Sequence, residues 1–270
     1  MKDAEAVRFL IIGASGFLGQ TVYAKLKEQQ VPVTGTCLTH KPAPDMIGLD
    51  VMNAAAVAEL FGQCRPDVIV WSVMNHAMED SFAEAAIRPL LSCLHGERFL
   101  FLSTNVATHE NMTENVTPVI RKDREYNYRY FNGKIRQEHL VRAYDNHCII
   151  RPGSIYGRTP YGMTDVRYTG LKQHVDRKEP FERAVNIRFP VVEVNDLADV
   201  ILELASSTFT GIINVSEESP VSHYDFNVQL CRENGWDHRI VIAQETEPLI
   251  YSFDNTLRKK VLEKRLRNDS

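Results

Sequence analysis

The sequence predicts an α/β fold, a doubly wound parallel sheet followed by a smaller C-terminal lobe. Three observations carry this. Short apolar runs alternate with helix-period segments over roughly the first 150 residues, a glycine-rich turn joins the first run to the first helix, and the alternation loosens after Arg151-Pro152-Gly153. Strands alternating with helices imply βαβ units whose sheet is covered on both faces. The 270 residues are 44% hydrophobic and 24% charged, with 14 Gly and 12 Pro, the balance of an ordinary globular chain. A chain this long buries about 70–75% of its unfolded surface, so it needs no metal or disulfide staple. With 31 Lys+Arg against 35 Asp+Glu the net charge is −4, which argues against a nucleic-acid partner, since phosphate binding needs a concentrated basic patch.

Taken in order, Phe9 to Ile12 reads as a buried strand, Leu18 to Glu28 as a helix, Val31 to Cys37 as a second strand and Ala54 to Cys64 as a second helix. Val68 to Val73 is a strand introduced by Arg65-Pro66-Asp67. A helix over about Ser81 to Leu94 leads to a strand over Phe99 to Leu102. A long polar stretch precedes a helix over about Tyr130 to Tyr144 and the strand Cys148 to Ile150. Residues 154–186, rich in Gly, Tyr and charge, read as loops and short helices around a substrate. Val191 to Val194, helical Asp196 to Ser206 and Ile212 to Val215 read as a return to the main sheet. A helix near Tyr224 to Asn234 follows, and basic amphipathic Leu257 to Leu266 reads as a solvated surface helix. The domain division expected is therefore 1–153 for a nucleotide-binding lobe, with about 187–215 returning to it, and 154–270 mainly for a substrate lobe.

No apolar run approaches the ~18 residues of a membrane span, and Phe9 to Ile12 is too short for a signal-peptide core, so a cytoplasmic location with no membrane partner is expected. The five cysteines (Cys37, Cys64, Cys93, Cys148, Cys231) are scattered without a CxxC and read as core fillers. The nine histidines form no His-x-x-x-His or His-Glu-x-x-His pattern, so no metal site is expected.

Gly13-Ala14-Ser15-Gly16-Phe17-Leu18-Gly19 follows the first strand and opens the first helix. Glycine is needed where the chain turns sharply and where a pyrophosphate approaches too closely for a Cβ, and the helix N-terminus adds free N–H groups. A dinucleotide-binding, Rossmann-type turn is the reading, with Gly13, Ser15, Gly16, Phe17, Leu18 and Gly19 around the phosphates. The second strand runs into Thr39-His40-Lys41, with no acid to hold an adenosine ribose and repel a 2′-phosphate, so NADP(H) is favoured over NAD(H). Asp50-Val51 at the next strand end is placed to contact the adenine; the competing role for Asp50 is to cap the Ala54 helix.

A Tyr and a Lys four residues apart share one helical face, where the ammonium lowers the phenol pKa and makes the Tyr a usable acid or base. Three such pairs occur, Tyr23/Lys27, Tyr130/Lys134 and Tyr168/Lys172. The first lies beyond the phosphate turn, on what reads as a solvated face. The third has Gly170 between its members, a poor helix interior. Only Tyr130/Lys134 begins a helix between two core strands and follows Ser103-Thr104 at a strand end, where parallel sheets bind ligands.

With these motifs the chain resembles the extended short-chain dehydrogenase/reductases, and among them the dTDP-4-dehydrorhamnose reductase family. The matching segments are Gly13 to Gly19, Pro66-Asp67-Val68-Ile69-Val70, Ser103-Thr104, Tyr130-Phe131-Asn132-Gly133-Lys134, Arg151 to Gly157, Asn195-Asp196-Leu197-Ala198 and Val221 to Phe226. The resemblance implies a Rossmann-type fold with a C-terminal substrate-binding lobe. It gives Thr104 the substrate carbonyl, Tyr130 the acid's role, and Lys134 the ribose and the tuning of Tyr130. It also implies that Ser72, Val73, Ser103, Arg151 and Pro152 lie along the cofactor. Arg158 and Arg167 read either as clamps for a nucleotide-sugar pyrophosphate or as solvated loop residues.

Two segments depart from the family pattern. Asn105-Val106-Ala107-Thr108-His109-Glu110 stands for the usual Asp-Tyr-Val-Phe-Asp-Gly, and Trp71-Ser72-Val73 for Asn-Ala-Ala. Dehydratases place Asp-Glu after the Thr, and Asn105-Val106 offers no such carboxylate. The implied activity is reduction of a keto group on a nucleotide-activated sugar or related small molecule by NADPH. A non-catalytic NADP(H)-binding regulatory subunit and an NAD-retaining epimerase are the alternatives, and a homodimer is kept open. Because His40 and Lys41 stand where an acid would, NADPH is expected to bind at least tenfold more tightly than NADH, about 1.4 kcal/mol, by calorimetric titration. Equal affinities would overturn the argument from the second strand.

Overall fold

In the computed structural model, which describes residues 6–106, 108–267 and 269, seven strands form one wholly parallel sheet. The first half of the chain supplies β1 (Phe9–Ile12), α1 (Phe17–Glu28), β2 (Val33–Cys37), β3 (Ile47–Gly48), α2 (Ala54–Cys64) and β4 (Val68–Trp71). It continues with α3 (Glu79–Phe82), α4 (Arg88–Ser92), β5 (Arg98–Leu102), α5 (Tyr128–Val141) and β6 (His147–Pro152). The second half supplies β7 (Ser154–Tyr156), α6 (Val166–Arg177), β8 (Phe181–Ala184), β9 (Ile187–Phe189), β10 (Val191–Glu193), α7 (Val194–Ser206) and β11 (Gly211–Val215). Last come β12 (Val221–Ser222), α8 (His223–Glu233), β13 (Val241–Gln244), β14 (Leu249–Ile250) and α9 (Thr256–Val261).

The sheet order is β11-β6-β5-β4-β1-β2-β3, so the chain reverses direction at β1, between β2 and β4. That reversal opens a crevice at the carboxyl ends of the central strands, where such sheets bind ligands. The strand runs are apolar throughout because both faces are covered. Phe9, Ile11, Val70, Leu100, Leu102 and Ile150 pack with α1 and α7, while Leu10, Ile12, Ile69, Trp71, Phe99 and Phe101 pack with α2 and α4.

Several elements differ from the sequence expectation. The helix expected over Ser81 to Leu94 is three pieces, α3, a π turn over Ala83–Ile87, and α4. The Arg88 N–H reaches back five residues to Ala83, and Pro89 behind it has no N–H to restore the normal ladder. The strand expected to end at Asp50 is the two-residue edge strand β3, two residues short of Asp50. Of the 187–215 return, only β11 joins the main sheet. β9 pairs with β12 and β14, and β10 pairs with β7. Residues 154–186 hold a regular 12-residue helix, α6, which the Asp165 carboxylate caps at the Arg167 and Tyr168 N–H groups. Gly170 sits inside it with no neighbour demanding a glycine, a cost of about 1 kcal/mol that the rest of the helix absorbs.

Segment 257–266 is not a solvated helix. It leaves helical conformation after Val261, Leu262 and Leu266 are buried against the α1–α7 side of the core, and buried Arg258 pairs with Asp269 at 2.6 Å. A second apolar cluster of Tyr156, Leu171, Phe181, Phe189, Val191 and Phe226 lies among α6, α8 and the small sheets, apart from the two faces of the main sheet. No helix among the described residues is long and apolar enough to cross a membrane.

The tightest helix contact is that of α5 on α3. A Cβ at Gly133 would lie 2.5 Å from the Glu79 carbonyl carbon and 2.6 Å from its oxygen. Gly133→Ala is expected to destabilise the fold by about 1–3 kcal/mol through overpacking, measured by urea denaturation. An unchanged midpoint would show that α3 can move away freely.

Candidate active site

At the β1–α1 junction Gly13 has φ +87°, and a Cβ there would meet the Ser72–Val73 backbone at 3.0–3.1 Å. A Cβ on Gly19 would stand 2.1 Å from the Gly13 carbonyl oxygen and 2.8 Å from Ser72 Oγ, which forbids any larger residue without opening the turn. Gly16 begins α1, no side chain caps that helix, and its first turn carries no acid. Its leading N–H groups, over Phe17 and Leu18, therefore face the crevice with the positive end of the helix dipole uncompensated. A cradle without Cβ atoms at a helix N-terminus fits a pyrophosphate. Ser72, expected along the cofactor, holds the turn in place together with Thr36 and Gln20, which the sequence did not single out. Thr36 Oγ1 accepts from Gly13 N (3.1 Å), Ser72 Oγ donates to Gly13 O (3.3 Å), and Gln20 Nε2 donates to Ser15 O (2.9 Å). Gln20 also accepts from Thr159 Oγ1 at 2.7 Å, which links the turn to the second half of the chain.

Thr39, His40 and Lys41 are exposed just past β2. Asp50 does not cap α2. Its Oδ1 accepts from Met52 N (2.9 Å), and Asn53, one residue before the helix, takes the capping bond from Ala56 N (3.1 Å). Val51 packs against the α2 side of the core.

Tyr130 lies in the first turn of α5, beside Thr104, which follows β5. Burial pushes the Tyr130 phenol up to about 12; the Thr104 hydroxyl works against the rise and the charge of Glu79 adds to it. One turn on, Lys134 is 2% exposed. Its Nζ donates to Val73 O (2.9 Å) and Leu102 O (3.2 Å) and pairs with Glu79 Oε1 (3.0 Å). An ammonium has three donors, and three acceptors surround this one. A ribose hydroxyl can reach Lys134 only by exchange with one of them, a constraint absent from the sequence expectation.

Glu79 is fully buried and also accepts from Gln137 Nε2 (2.9 Å) and Asn75 N (2.9 Å). Sequence reasoning missed Glu79 and Gln137. The available signal was that Gln137 stands three residues from Lys134, so a polar face of α5 turns inward.

Both look-alike pairs lie elsewhere. Tyr23 is not on a solvated face; it is 1% exposed and fills the space left by Gly35, whose Cβ would meet its ring at 2.8 Å. Lys27 pairs with Asp45. On α6 the Tyr168 hydroxyl accepts from Arg158 (3.1 Å) and Lys172 pairs with Asp176.

Arg151 departs from its expected place along a cofactor. Its side chain is fully buried, its Nη2 meets Glu138 Oε2 at 2.7 Å, and its Nη1 donates to the carbonyls of Glu114 and Val116. Ser103 Oγ donates to the other oxygen of Glu138 (2.5 Å), so the two residues hold the β5 and β6 ends together through one carboxylate. Pro152 closes β6 and is buried. Trp71 is buried on the α2–α4 face, edge-on to Phe82, so that departure from the family pattern turns away from the crevice.

Arg167 Nε binds Asp165 (3.1 Å), its Nη2 donates to the Ile155 carbonyl, and its guanidinium lies 5.2 Å from the Phe226 ring centre. It lines a cavity of about 490 Å³ with Phe181, Arg183, His223, Gln244 and Thr246, whereas Arg158 is an exposed partner of Tyr168.

The profile of the NAD dependent epimerase/dehydratase family matches residues 9–216. The chain belongs to this family. Among solved structures this family member is similar to a dTDP-4-dehydrorhamnose reductase from Bacillus anthracis in complex with NADP, at 18% identity and TM-score 0.76, covering 96% of this chain and 93% of that one. It is also similar to a dTDP-glucose 4,6-dehydratase from Bacillus anthracis in complex with NAD, at 12% identity and TM-score 0.81, covering 97% and 92%. A curated relative, methionine adenosyltransferase 2 subunit beta from Xenopus tropicalis, is 23% identical over 243 residues, 83% of this chain and 71% of that protein. The family makes the chain an NAD(P)-dependent oxidoreductase of the extended short-chain type.

The cradle makes one sharp demand. Gly19→Ala is expected to abolish dinucleotide binding in calorimetry while the far-UV spectrum stays helical, because the new methyl falls on the Gly13 carbonyl. Binding at wild-type affinity would mean that the turn is only structural.

Proposed function

We propose that this protein reduces a keto group on a nucleotide-activated sugar or a related substrate with NADPH. The observation that carries the reading is Tyr130 beside Thr104 at the carboxyl ends of the central strands, with Lys134 one turn behind it. Bound in the crevice, the nicotinamide supplies a hydride. Tyr130 gives its proton to the developing alkoxide and Thr104 hydrogen-bonds the same oxygen, so negative charge is met where it forms. A phenol raised to about 12 stays protonated at neutral pH, the form an acid needs. Exposed Thr39, His40 and Lys41 support NADP(H), as does the likeness to a reductase in complex with NADP. Arg167 and Arg183 in the 490 Å³ cavity supply cations suited to a diphosphate, and the reductase and dehydratase neighbours support a dTDP-linked sugar as the class to try first.

The test is NADPH consumption with a panel of 4-keto nucleotide sugars. Tyr130→Phe is expected to lower turnover by ~10²–10⁴ and leave NADPH affinity nearly unchanged. Tyr23→Phe and Tyr168→Phe are expected to match wild type in turnover. An active Tyr130→Phe would overturn the assignment. Tight NADPH binding with no substrate across the panel would favour a cofactor-binding subunit instead, a reading that the methionine adenosyltransferase subunit relative supports.

A further inference from the structure

We propose that Glu79 is a positioning residue that cancels the charge of Lys134, and so keeps the Tyr130 phenol in its proton-donating form. The inference rests on the reading of Tyr130 as the acid, and it starts from the environment of Lys134. Nearby cations lower a phenol pKa, and an isolated ammonium one turn from Tyr130 would stabilise its phenolate. Lys134 is not isolated. Its ammonium lies 3.0 Å from a carboxylate that is itself fully buried, so the pair presents a dipole rather than a unit charge to the phenol.

The carboxylate is fixed as well as buried. Gln137 Nε2 and the Asn75 N–H hold its two oxygens, one on each side. The backbone of α3 that carries it is pressed against Gly133, the residue before Lys134. Each element around Tyr130 adds one group to the balance. From α5 comes Lys134, from α3 comes Glu79, from the end of β5 comes the Thr104 hydroxyl, and from the loop after β4 comes the exposed His76, whose ring centre is 4.7 Å from that of Tyr130. Asp80, next to Glu79, is engaged by Arg136 at the surface, and Glu138 further along α5 is engaged by Arg151. Glu79 is thus the buried anion that faces both members of the Tyr–Lys pair.

Reduction breaks the Tyr130 O–H bond and leaves the proton on the new alcohol, which a neutral phenol can do. With the Lys134 charge balanced by Glu79, the phenol keeps its proton until strongly alkaline pH, so the donor is available throughout the neutral range.

The experiment is a rapid pH-jump titration of phenolate absorbance in the full chain, with the Tyr130 signal taken as the difference from Tyr130→Phe. Glu79→Gln keeps the shape and removes the charge. It is expected to lower the Tyr130 midpoint by at least about one unit. It is also expected to move the alkaline limb of the kcat/KM–pH profile for ketone reduction down by the same amount. Glu79→Asp keeps the charge and is expected to stay near wild type. The double variant Glu79→Gln, Lys134→Gln is expected to return the midpoint to the wild-type value, and it serves also if the single variant does not fold. An unmoved midpoint in Glu79→Gln, an equal shift in Glu79→Asp, or a double variant well above wild type would each overturn the proposal. Failure of the acid reading shows separately, as turnover retained by Tyr130→Phe.

Discussion

The Lys134 ammonium is tied to three parts of the chain at once. It takes the Val73 carbonyl just past β4, the Leu102 carbonyl that ends β5 and the carboxylate of Glu79 on α3, while its own backbone belongs to α5. Strand ends of a parallel sheet expose carbonyls with no ladder partner, and a buried cation among them serves as cross-link and counter-charge together. Removing one member of a buried ion pair leaves the other uncompensated, at a cost of about 3–5 kcal/mol. The crevice geometry and part of the fold's stability therefore rest on the same atom. This explains why Gly133 cannot carry a side chain. Only with α3 and α5 in backbone contact does Glu79 reach Lys134.

Two more buried ion pairs do comparable work. Glu138 joins Ser103 at the end of β5 to Arg151 on β6, and Arg151 in turn holds the carbonyls of Glu114 and Val116 in the long loop above them. Arg258 holds Asp269, drawing the C-terminal segment over the core while Lys264 engages Asp196 and Asp199 on α7. Surface pairs such as Arg88–Glu84 and Arg239–Asp237 lie in water and contribute little by comparison. The sheet is closed by hydrophobic burial, but its carboxyl edge is organised by charge.

The glycine turn and the 490 Å³ cavity are built differently. The turn, the Ser72–Val73 backbone and the Thr36 hydroxyl form a cradle made largely of main chain. The cavity is lined by long side chains, among them Arg167, Arg183 and Gln244. A cradle of main chain is little altered by substitutions elsewhere, whereas a cavity lined by side chains changes with each of them.

The sequence by itself determined the sheet and the turn. Runs such as Phe9 to Ile12 and Phe99 to Leu102 are apolar at every position, and Gly13, Gly16 and Gly19 fall at a strand–helix junction, so local pattern and steric demand were both written in consecutive residues. It also separated Tyr130/Lys134 from its two look-alikes, although the solvated face assigned to Tyr23 proved to be core. Tertiary structure alone decided what surrounds those residues. Glu79 stands 55 residues before Lys134, and nothing in either segment marks them as partners until α3 and α5 pack. Arg151 read as a cofactor residue because its segment did, yet its side chain points into a charge network closed by Glu138. The strands β9 and β10 left the main sheet, and Leu262 and Leu266 went inward, because pairing and burial are settled between distant segments. A pattern of apolar residues states that a face will be covered; which face covers it depends on where the rest of the chain has gone.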